Sequence, residues 1–369
     1  MWVSELSLRD FRNHQSTDLT LQPGVTVFVG ANGQGKTNLV EALGYLSNLS
    51  SHRVSSDRAL VREGEPTATV RAAIHHQNRS VGLALALNAK GSNRAKLNGQ
   101  AVGVGELVGW LRVVLFTPED LGIVRGEPAT RRKYLDEAVM QLRPRMHTVF
   151  ADFDKVIRQR NALLKSARAM SRQQLVESLT SWNESLVALA TEITLERQSV
   201  LGEITPHIRV AYETIAPGHE VDVGLHSSEE LVTDRSELAA HYVEELARRQ
   251  GEEIDRGMTL VGPHRDDVMI TLNGLPSRTH SSHGEAWSLA LSLRLGLAQV
   301  YRMDSASGDP VMVLDDVFAE LDASRRRTLQ RLVSDYEQVL VTAAVREDIP
   351  EGFSTQWFTV SAGVVSADG

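Results

Sequence analysis

Hydrophobic and polar residues alternate from Trp2 to Phe11, the two-residue period of a strand with one buried face, and the weakness of the alternation predicts an edge strand. Residues 18–21 lead into the turn signal Pro23-Gly24, and the apolar run 25–29 follows as a second strand. Residues 67–73, 80–87 and 94–97 read as short antiparallel strands. The last turns at Asn98-Gly99, a dipeptide that tolerates the positive φ of a two-residue hairpin. Residues 113–116 are uniformly apolar, a buried strand that stops at Thr117-Pro118.

Beyond Pro118 the period lengthens to that of a helix. Met146, Phe150, Phe153, Ile157 and Leu164 share one stripe, with Arg160 where an apolar residue is expected. Leu175, Leu179, Trp182, Leu186, Leu189 and Ile193 step alternately by four and three, and Val200 falls seven further on, a coiled-coil-like seam of a few heptads. These two helices, joined near Ala169 to Arg172, are either a short protruding hairpin or ordinary amphipathic helices packed on a domain. Strand character returns at 258–261 and 268–272, with a turn at Asn273-Gly274. A helix over 284–302, a buried strand over 310–314, a helix over 324–336 and strands over 338–342 and 357–360 complete the series. The order predicts an α/β fold with mixed sheets (1–118 and 258–369) and an inserted, mainly helical lobe (119–257).

Residues 30–37, G-A-N-G-Q-G-K-T, sit between the predicted strand 25–29 and a helix-like run from Asn38, and so match the P-loop in order as well as in letters. A triphosphate needs several backbone N–H groups at close range, which glycine backbone permits, together with the positive end of a helix and one ammonium group. The expected nucleotide-binding set is therefore Gly30, Ala31, Asn32, Gly33, Gln34, Gly35, Lys36, Thr37 and Asn38. Lys36 reaches the β/γ-phosphates and the Thr37 hydroxyl ligates Mg²⁺. Arg12, just before the strand that enters the loop, either touches phosphate or makes a surface salt bridge.

Residues 311–316, V-M-V-L-D-D, have the Walker B form, an apolar strand that delivers a carboxylate to its carboxyl end. Asp315 is the expected Mg²⁺ partner, direct or through water, and Asp316 stands where a general base would hold the attacking water. Asp reaches about one methylene less far than the Glu common at that place. Ser282-His283-Gly284-Glu285 opens a helix about thirty residues before Asp315. It is either a plain N-cap or an element similar to the signature of ATP-binding-cassette proteins, which caps a γ-phosphate held by the other subunit.

Charge adds a partner class. The chain of 369 residues carries 39 Lys/Arg against 47 Asp/Glu, net −8, yet residues 122–172 hold twelve Lys/Arg against five acids. That segment is a candidate for non-specific nucleic-acid binding through phosphate neutralisation, or else a solvated helix face. Its expected DNA contacts are Arg131, Arg132, Lys133, Lys155, Arg158, Lys165 and Arg172. Gly262-Pro263-His264-Arg265-Asp266-Asp267 concentrates charge in a turn, where nucleotide contact, salt bridges or a metal are all conceivable. There is no cysteine, hence no disulfide or thiol chemistry, and the charged start and lack of a long apolar run point to a cytoplasmic protein with no membrane association.

Residues 30–41, 118–136 (P-E-D-L-G-I-V-R-G-E-P-A-T-R-R-K-Y-L-D), 262–267 and 314–322 together resemble the RecF family of bacterial recombination ATPases. The resemblance implies a P-loop, ABC-type ATPase head (1–118 and 258–369) similar to those of SMC proteins, with a compact helical lobe inserted at 119–257. It implies an ATP-dependent homodimer in which Lys36, Thr37, Asp315 and Asp316 of one protomer face Ser282 of the other. It further implies binding to single-stranded and gapped or junction DNA without sequence preference, and a weak, DNA-stimulated ATPase whose slow hydrolysis drives release. RecO and RecR are the implied partners, RecA is loaded, and the implied setting is recombinational repair, replication restart and the SOS response, nucleoid-associated when bound. Glu285 departs from the usual signature Gln, and neither a Q-loop glutamine near Pro118 nor a switch histidine after residue 342 is present. Those two gaps weigh against a transporter subunit. The alternative is an ATPase of another SMC-like or transporter-associated assembly that does not bind DNA.

Overall fold

The computed structural model describes the chain except residues 78, 168–169, 227–231, 305–307 and 369, together with the side chain of Arg172. Contacts divide it into two compact units, each described by itself.

The first unit comprises Met1–Leu121, Pro206–Glu220 and Ser281–Gly369. Its opening elements are β1 (Trp2–Phe11), β2 (His14–Thr20), β3 (Gly24–Val29), α1 (Lys36–Asn48), β4 (Thr67–His76), β5 (Arg79–Asn88), β6 (Arg94–Leu97), β7 (Gln100–Val102) and β8 (Val113–Phe116). One sheet runs β2-β1-β4-β5-β6-β7, antiparallel throughout. The expected edge strand β1 is therefore interior, paired with β2 on one side and β4 on the other. Its alternation is weak for another reason: a register shift between Val3 and Glu5 inserts a residue, so the buried positions fall at Val3, Leu6, Leu8 and Phe11. The hairpin at Asn98-Gly99 forms as expected, with φ of 49° and 82°.

Later elements are α2 (Leu121–Arg125), α3 (Pro128–Leu142), α4 (Met146–Lys165), α5 (Arg172–Ile215), β9 (Val221–His226), α6 (Arg235–Arg256), β10 (Asp267–Leu272), β11 (Leu275–Pro276), α7 (Ser277–His280), α8 (His283–Met303), β12 (Val311–Asp315), α9 (Ala323–Val333), β13 (Gln338–Ala343), β14 (Gln356–Ser361) and β15 (Val364–Ala367). The second sheet of the first unit runs β15-β14-β3-β13-β12-β8. It is parallel except for β15, and β8, β12 and β13 are buried at every position, which is why they read as unbroken apolar runs. One apolar core joins both sheets to Leu39, Leu43 and Leu46 of α1, and so fixes the helix that starts at the phosphate loop.

The second unit comprises Gly122–Thr205 and Val221–His280. On α4, Met146, Phe153 and Leu164 are buried as the stripe predicts, and the misfit Arg160 is buried as well. Its guanidinium pairs with Glu253 of α6 and donates to Thr259 Oγ1 and Asn183 Oδ1, both at 2.9 Å. The polar residue on the apolar stripe is thus the hub that joins α4, α5 and α6. On α5 the seam residues Leu175, Leu179, Leu186, Ile193 and Val200 are buried, and Leu164 packs with Leu175 and Leu179 in a small satellite cluster. The joint between α4 and α5 includes residues 168–169, outside the described residues.

The expected strand at 258–261 does not form. Thr259 donates its N–H and hydroxyl to Asn161 Oδ1 (2.6 and 2.8 Å), and Leu260 N–H bonds Glu253 Oε1 at 2.8 Å, so side chains take the bonds a ladder would use. Strand β9 and helix α6 carry no clear sequence signal, and β9 pairs with β10 over its whole length. That pairing holds residues 221–280 in the lobe, so the units divide at 121 and 280 rather than at 118 and 257, while residues 206–220 return to the first unit.

Candidate nucleotide site

Strand β3 ends at Val29, and Gly30 N–H bonds Ala343 O of β13 at 3.2 Å. A Cβ on Gly30 would lie 2.2 Å from Val360 O, so only glycine lets the loop leave the sheet here. Gly33 and Gly35 adopt φ of 81° and 116°, and Gly35 caps α1. Lys36 is buried, with Nζ 3.4 Å from Ala31 O and 3.9 Å from Asp316 Oδ2. Ala31, Asn32 and Gly33 are exposed at the loop's rim.

Thr37 Oγ1 donates to Asp315 Oδ1 at 3.1 Å, and Thr342 of β13 donates to the same oxygen. Burial pushes the Asp315 carboxyl up to about 6, with the neighbouring Asp316 adding to the rise and the two hydroxyls opposing it. Asp316 sits at φ 53°, held by its N–H to Thr342 Oγ1 at 2.9 Å. Burial raises its pKa too, against the pull of Lys36. Its Oδ1 is buried without a hydrogen-bond partner among the described residues. The Thr37 hydroxyl and the Asp315 carboxylate are hard-oxygen donors that suit Mg²⁺, which takes few protein ligands when phosphates and water supply the rest, and the orphaned Asp316 oxygen has capacity to accept from a water.

Beneath the loop lie residues that the motifs do not single out. Asn13 Nδ2 donates to Gln34 O at 3.0 Å, and Asn38 spends its amide on Asn13 Oδ1 at 2.7 Å. His14, fully buried, sets Nε2 3.0 Å from Gly35 O and Nδ1 2.9 Å from Gly363 O. Gly363 N–H bonds Gln34 O at 2.9 Å, and Ala362 N–H bonds Gln34 Oε1 at 2.7 Å. Asn13 and His14 had one legible signal: they lie between the strand-like runs 2–11 and 18–21, upstream of the strand that enters the loop.

Arg12 is committed elsewhere than phosphate. Its Nε and Nη2 grip Glu41 of α1 at 2.9 and 2.7 Å, and Nη1 donates to Ala59 O. Glu41 is fully buried. Burial alone would raise its pKa, but Arg12, Ser51 and Arg53 outweigh it and hold the carboxyl below the usual range.

Ser282 and His283 are exposed at the N-terminus of α8. Ser282 Oγ accepts from Glu285 N–H at 3.3 Å, and Glu285 Oε2 accepts from Ser282 N–H at 2.7 Å, a reciprocal cap. A Cβ on Gly284 would meet Arg325 Nη2 at 2.8 Å, so that guanidinium lies against the glycine.

Of the basic candidates, Arg131 is buried: Nε and Nη2 bind Asp267 at 2.7 and 2.8 Å, and Nη1 binds Gly126 O. It braces the lobe and cannot face a duplex. Arg132 is half-buried, donating to Asp266 O at 2.6 Å, and Lys133 lies 3.8 Å from Glu137. Lys155, Arg158 and Lys165 are exposed on α4 at i, i+3 and i+10 and project from one side. The side chain of Arg172 lies outside the described residues. In the 262–267 turn, Asp267 is held by Arg131, Asp266 lies 3.6 Å from Arg197, and His264 Nε2 meets Thr259 O. The described residues hold no cluster of three or more His, Asp or Glu suited to a metal. Nor do they include a helix long and apolar enough to cross a membrane.

The profile of the RecF/RecN/SMC N-terminal domain family matches residues 2–361. The chain is 44% identical to the DNA replication and repair protein RecF of Clavibacter sepedonicus, covering 99% of this chain and 95% of that one. It is equally identical to RecF of Leifsonia xyli, covering 99% of each. Among solved structures it is similar to the recombination mediator RecF with ATP, of the RecFOR pathway, at a TM-score of 0.91 and 26% identity over 100% and 98% of the chains. An Smc head domain from Pyrococcus furiosus, at 0.55 and 15% over 100% and 96%, shares the fold.

Proposed function

Because this chain belongs to the RecF family of DNA replication and repair proteins, within the ABC-type ATPases of the RecF/RecN/SMC group, we propose that it is an ATP-gated dimer that grips DNA. The reading rests chiefly on one observation. The P-loop and the Walker B strand, almost 280 residues apart, meet with Thr37 on Asp315 and Lys36 beside Asp316, while the Ser282 turn of the same unit stays exposed and available to a second copy.

In the proposed cycle Lys36 and the loop amides hold the β- and γ-phosphates of ATP, and Thr37 and Asp315 would hold Mg²⁺. The ion supplies neutralisation of phosphate charge. Ser282 and the N-terminus of α8 from a second protomer close over the γ-phosphate and join two heads around two nucleotides. For hydrolysis, a water oxygen attacks the γ-phosphorus, the bond to the β–γ bridging oxygen breaks, and Asp316 accepts the water's proton, leaving ADP and phosphate. Asp316 is poised for this by burial, which raises its basicity, and by its constrained backbone. Turnover is slow, DNA-stimulated and unlocks the dimer.

Exposed Lys155, Arg158 and Lys165 on α4 are the proposed phosphate contacts to DNA, and they carry no base-reading element. By family, RecO and RecR join it at gapped DNA to load RecA. The setting is cytoplasmic, on the nucleoid. Sedimentation tests the central claim. With ATP and Mg²⁺ the wild type should dimerise, whereas Ser282→Arg should bind ATP and stay monomeric. A wild type that remains monomeric with saturating ATP across a wide concentration range would overturn the sandwich.

A further inference from the structure

Two β-turns far apart in sequence converge on the underside of the phosphate loop. One joins β1 to β2 and carries Asn13, with His14 opening β2 directly after it. The other joins β14 to β15 at Ala362-Gly363, with φ of 48° and 77°. They fit so closely that a Cβ on Gly35 would lie 2.8 Å from the Asn13 amide and 2.9 Å from His14 Nε2, and one on Gly363 would lie 2.3 Å from Asn13 O.

What they hold is specific. Gln34 O accepts from Asn13 Nδ2 at 3.0 Å and from Gly363 N–H at 2.9 Å. Gly35 O faces His14 Nε2 at 3.0 Å while it takes the first helical bond, from Leu39 N–H at 3.2 Å. In a trans peptide the N–H points opposite to the C=O of the same plane. Fixing the carbonyls of residues 34 and 35 on the underside therefore fixes the N–H groups of Gly35 and Lys36 on the upper side, where phosphate is read by backbone donors. His14 donates to Gly35 O only in the tautomer with hydrogen on Nε2. The other ring nitrogen, Nδ1, lies 2.9 Å from Gly363 O and 3.0 Å from the Thr17 hydroxyl, so the ring bridges the loop and the Ala362-Gly363 turn, donating to Gly35 O with hydrogen on Nε2 and to Gly363 O with hydrogen on Nδ1.

We propose that Asn13, His14 and the Ala362-Gly363 turn are positioning residues that pre-aim the Gly35 and Lys36 amides at the β- and γ-phosphates. The idea rests on the nucleotide-site reading above and deepens it. Such pre-aiming is what lets backbone donors act without reorganising when the ligand arrives. The effect of the positioning residues passes through two peptide planes.

The test uses the full chain, a fluorescent ATP analogue with Mg²⁺, and three variants. Asn13→Ala removes one clamp from an exposed side chain. His14→Leu keeps bulk without a donor, and His14→Gln restores an N–H near the Nε2 position. Asn13→Ala and His14→Leu should each weaken binding about ten-fold or more, raise the ATPase KM more than they lower kcat, and leave the melting temperature without nucleotide close to wild type. His14→Gln should recover affinity to within about three-fold of wild type. Wild-type affinity in a folded Asn13→Ala or His14→Leu overturns the proposal. So does a His14→Gln as weak as His14→Leu, or a loss of affinity that merely tracks a loss of melting temperature. A wild type that fails to bind the analogue would remove the nucleotide-site reading itself, which keeps the two failures apart.

Discussion

Without nucleotide, Asp315→Asn should make the protein more stable at pH 8 and leave it nearly unchanged at pH 4. The carboxyl is 3% exposed, and burial, with Asp316 beside it, lifts its pKa from 3.8 to about 6. A group whose folded pKa exceeds its unfolded value binds its proton more tightly in the folded state. Its contribution is full below about pH 4 and is lost as the pH rises through 6. A rise of that size corresponds to about 3 kcal/mol, an upper figure since some strain relaxes on titration. Asn keeps an oxygen to accept from Thr37 and Thr342, so the swap removes charge with little loss of hydrogen bonding. At about 2–4 °C per kcal/mol for a unit of this size, the variant should melt several degrees higher at pH 8. Differential scanning calorimetry from pH 4 to 8 reads the difference. Added ATP and Mg²⁺ should reverse the order, because the wild type gains binding energy that the variant lacks. A melting difference that does not change with pH, or a variant less stable at pH 8, would refute the account of a strained, ligand-ready carboxylate.

Arg12→Ala leaves the buried Glu41 carboxylate with only Ser51 and the more distant Arg53 and should cost roughly 3 kcal/mol in urea unfolding. Because the Glu41 pKa is depressed, its stabilising share is present above the unfolded value and lost as pH falls through the folded one. In Arg12→Ala, acid unfolding should therefore start from a lower baseline and show less of that loss. At the lobe's hub, Arg160→Met or Glu253→Leu alone should destabilise by about 3–5 kcal/mol while the double change costs far less, as a double-mutant cycle would show. Charge reversal at Arg158 and Lys165 should weaken DNA binding and flatten the plot of log affinity against log salt by about two or more in slope, with an unchanged slope moving the DNA surface elsewhere.

The phosphate loop and the Walker B strand were legible because each is a local pattern: glycines at fixed offsets between a strand and a helix, and an unbroken apolar run ending in carboxylates. The helical stripes were legible for the same reason, down to the burial of Ile193 and Val200. What the sequence hid depends on pairing at a distance. Trp2 to Phe11 looks marginal because a bulge breaks its period, yet it lies inside its sheet. Residues 258–261 have strand-like side chains, but Asn161 and Glu253 take their backbone N–H groups. Helix α6 buries only Leu238, Tyr242, Leu246 and Glu253, too narrow a stripe to stand out. Among the basic residues, charge alone could not tell Arg131, sealed against Asp267, from Arg158 in solvent.

The place of β3 has a consequence for synthesis. Its register joins Gly24 to Gln338 on one side and Thr26 to Gln356 on the other, so both neighbours of the strand that carries the phosphate loop are made more than 300 residues after it. A nascent chain that stops short of residue 338 keeps that strand unflanked and the turn at 362–363 absent. Nucleotide grip should thus switch on only late in translation, and a growing polypeptide would be spared premature closure on a neighbour emerging from the same polysome.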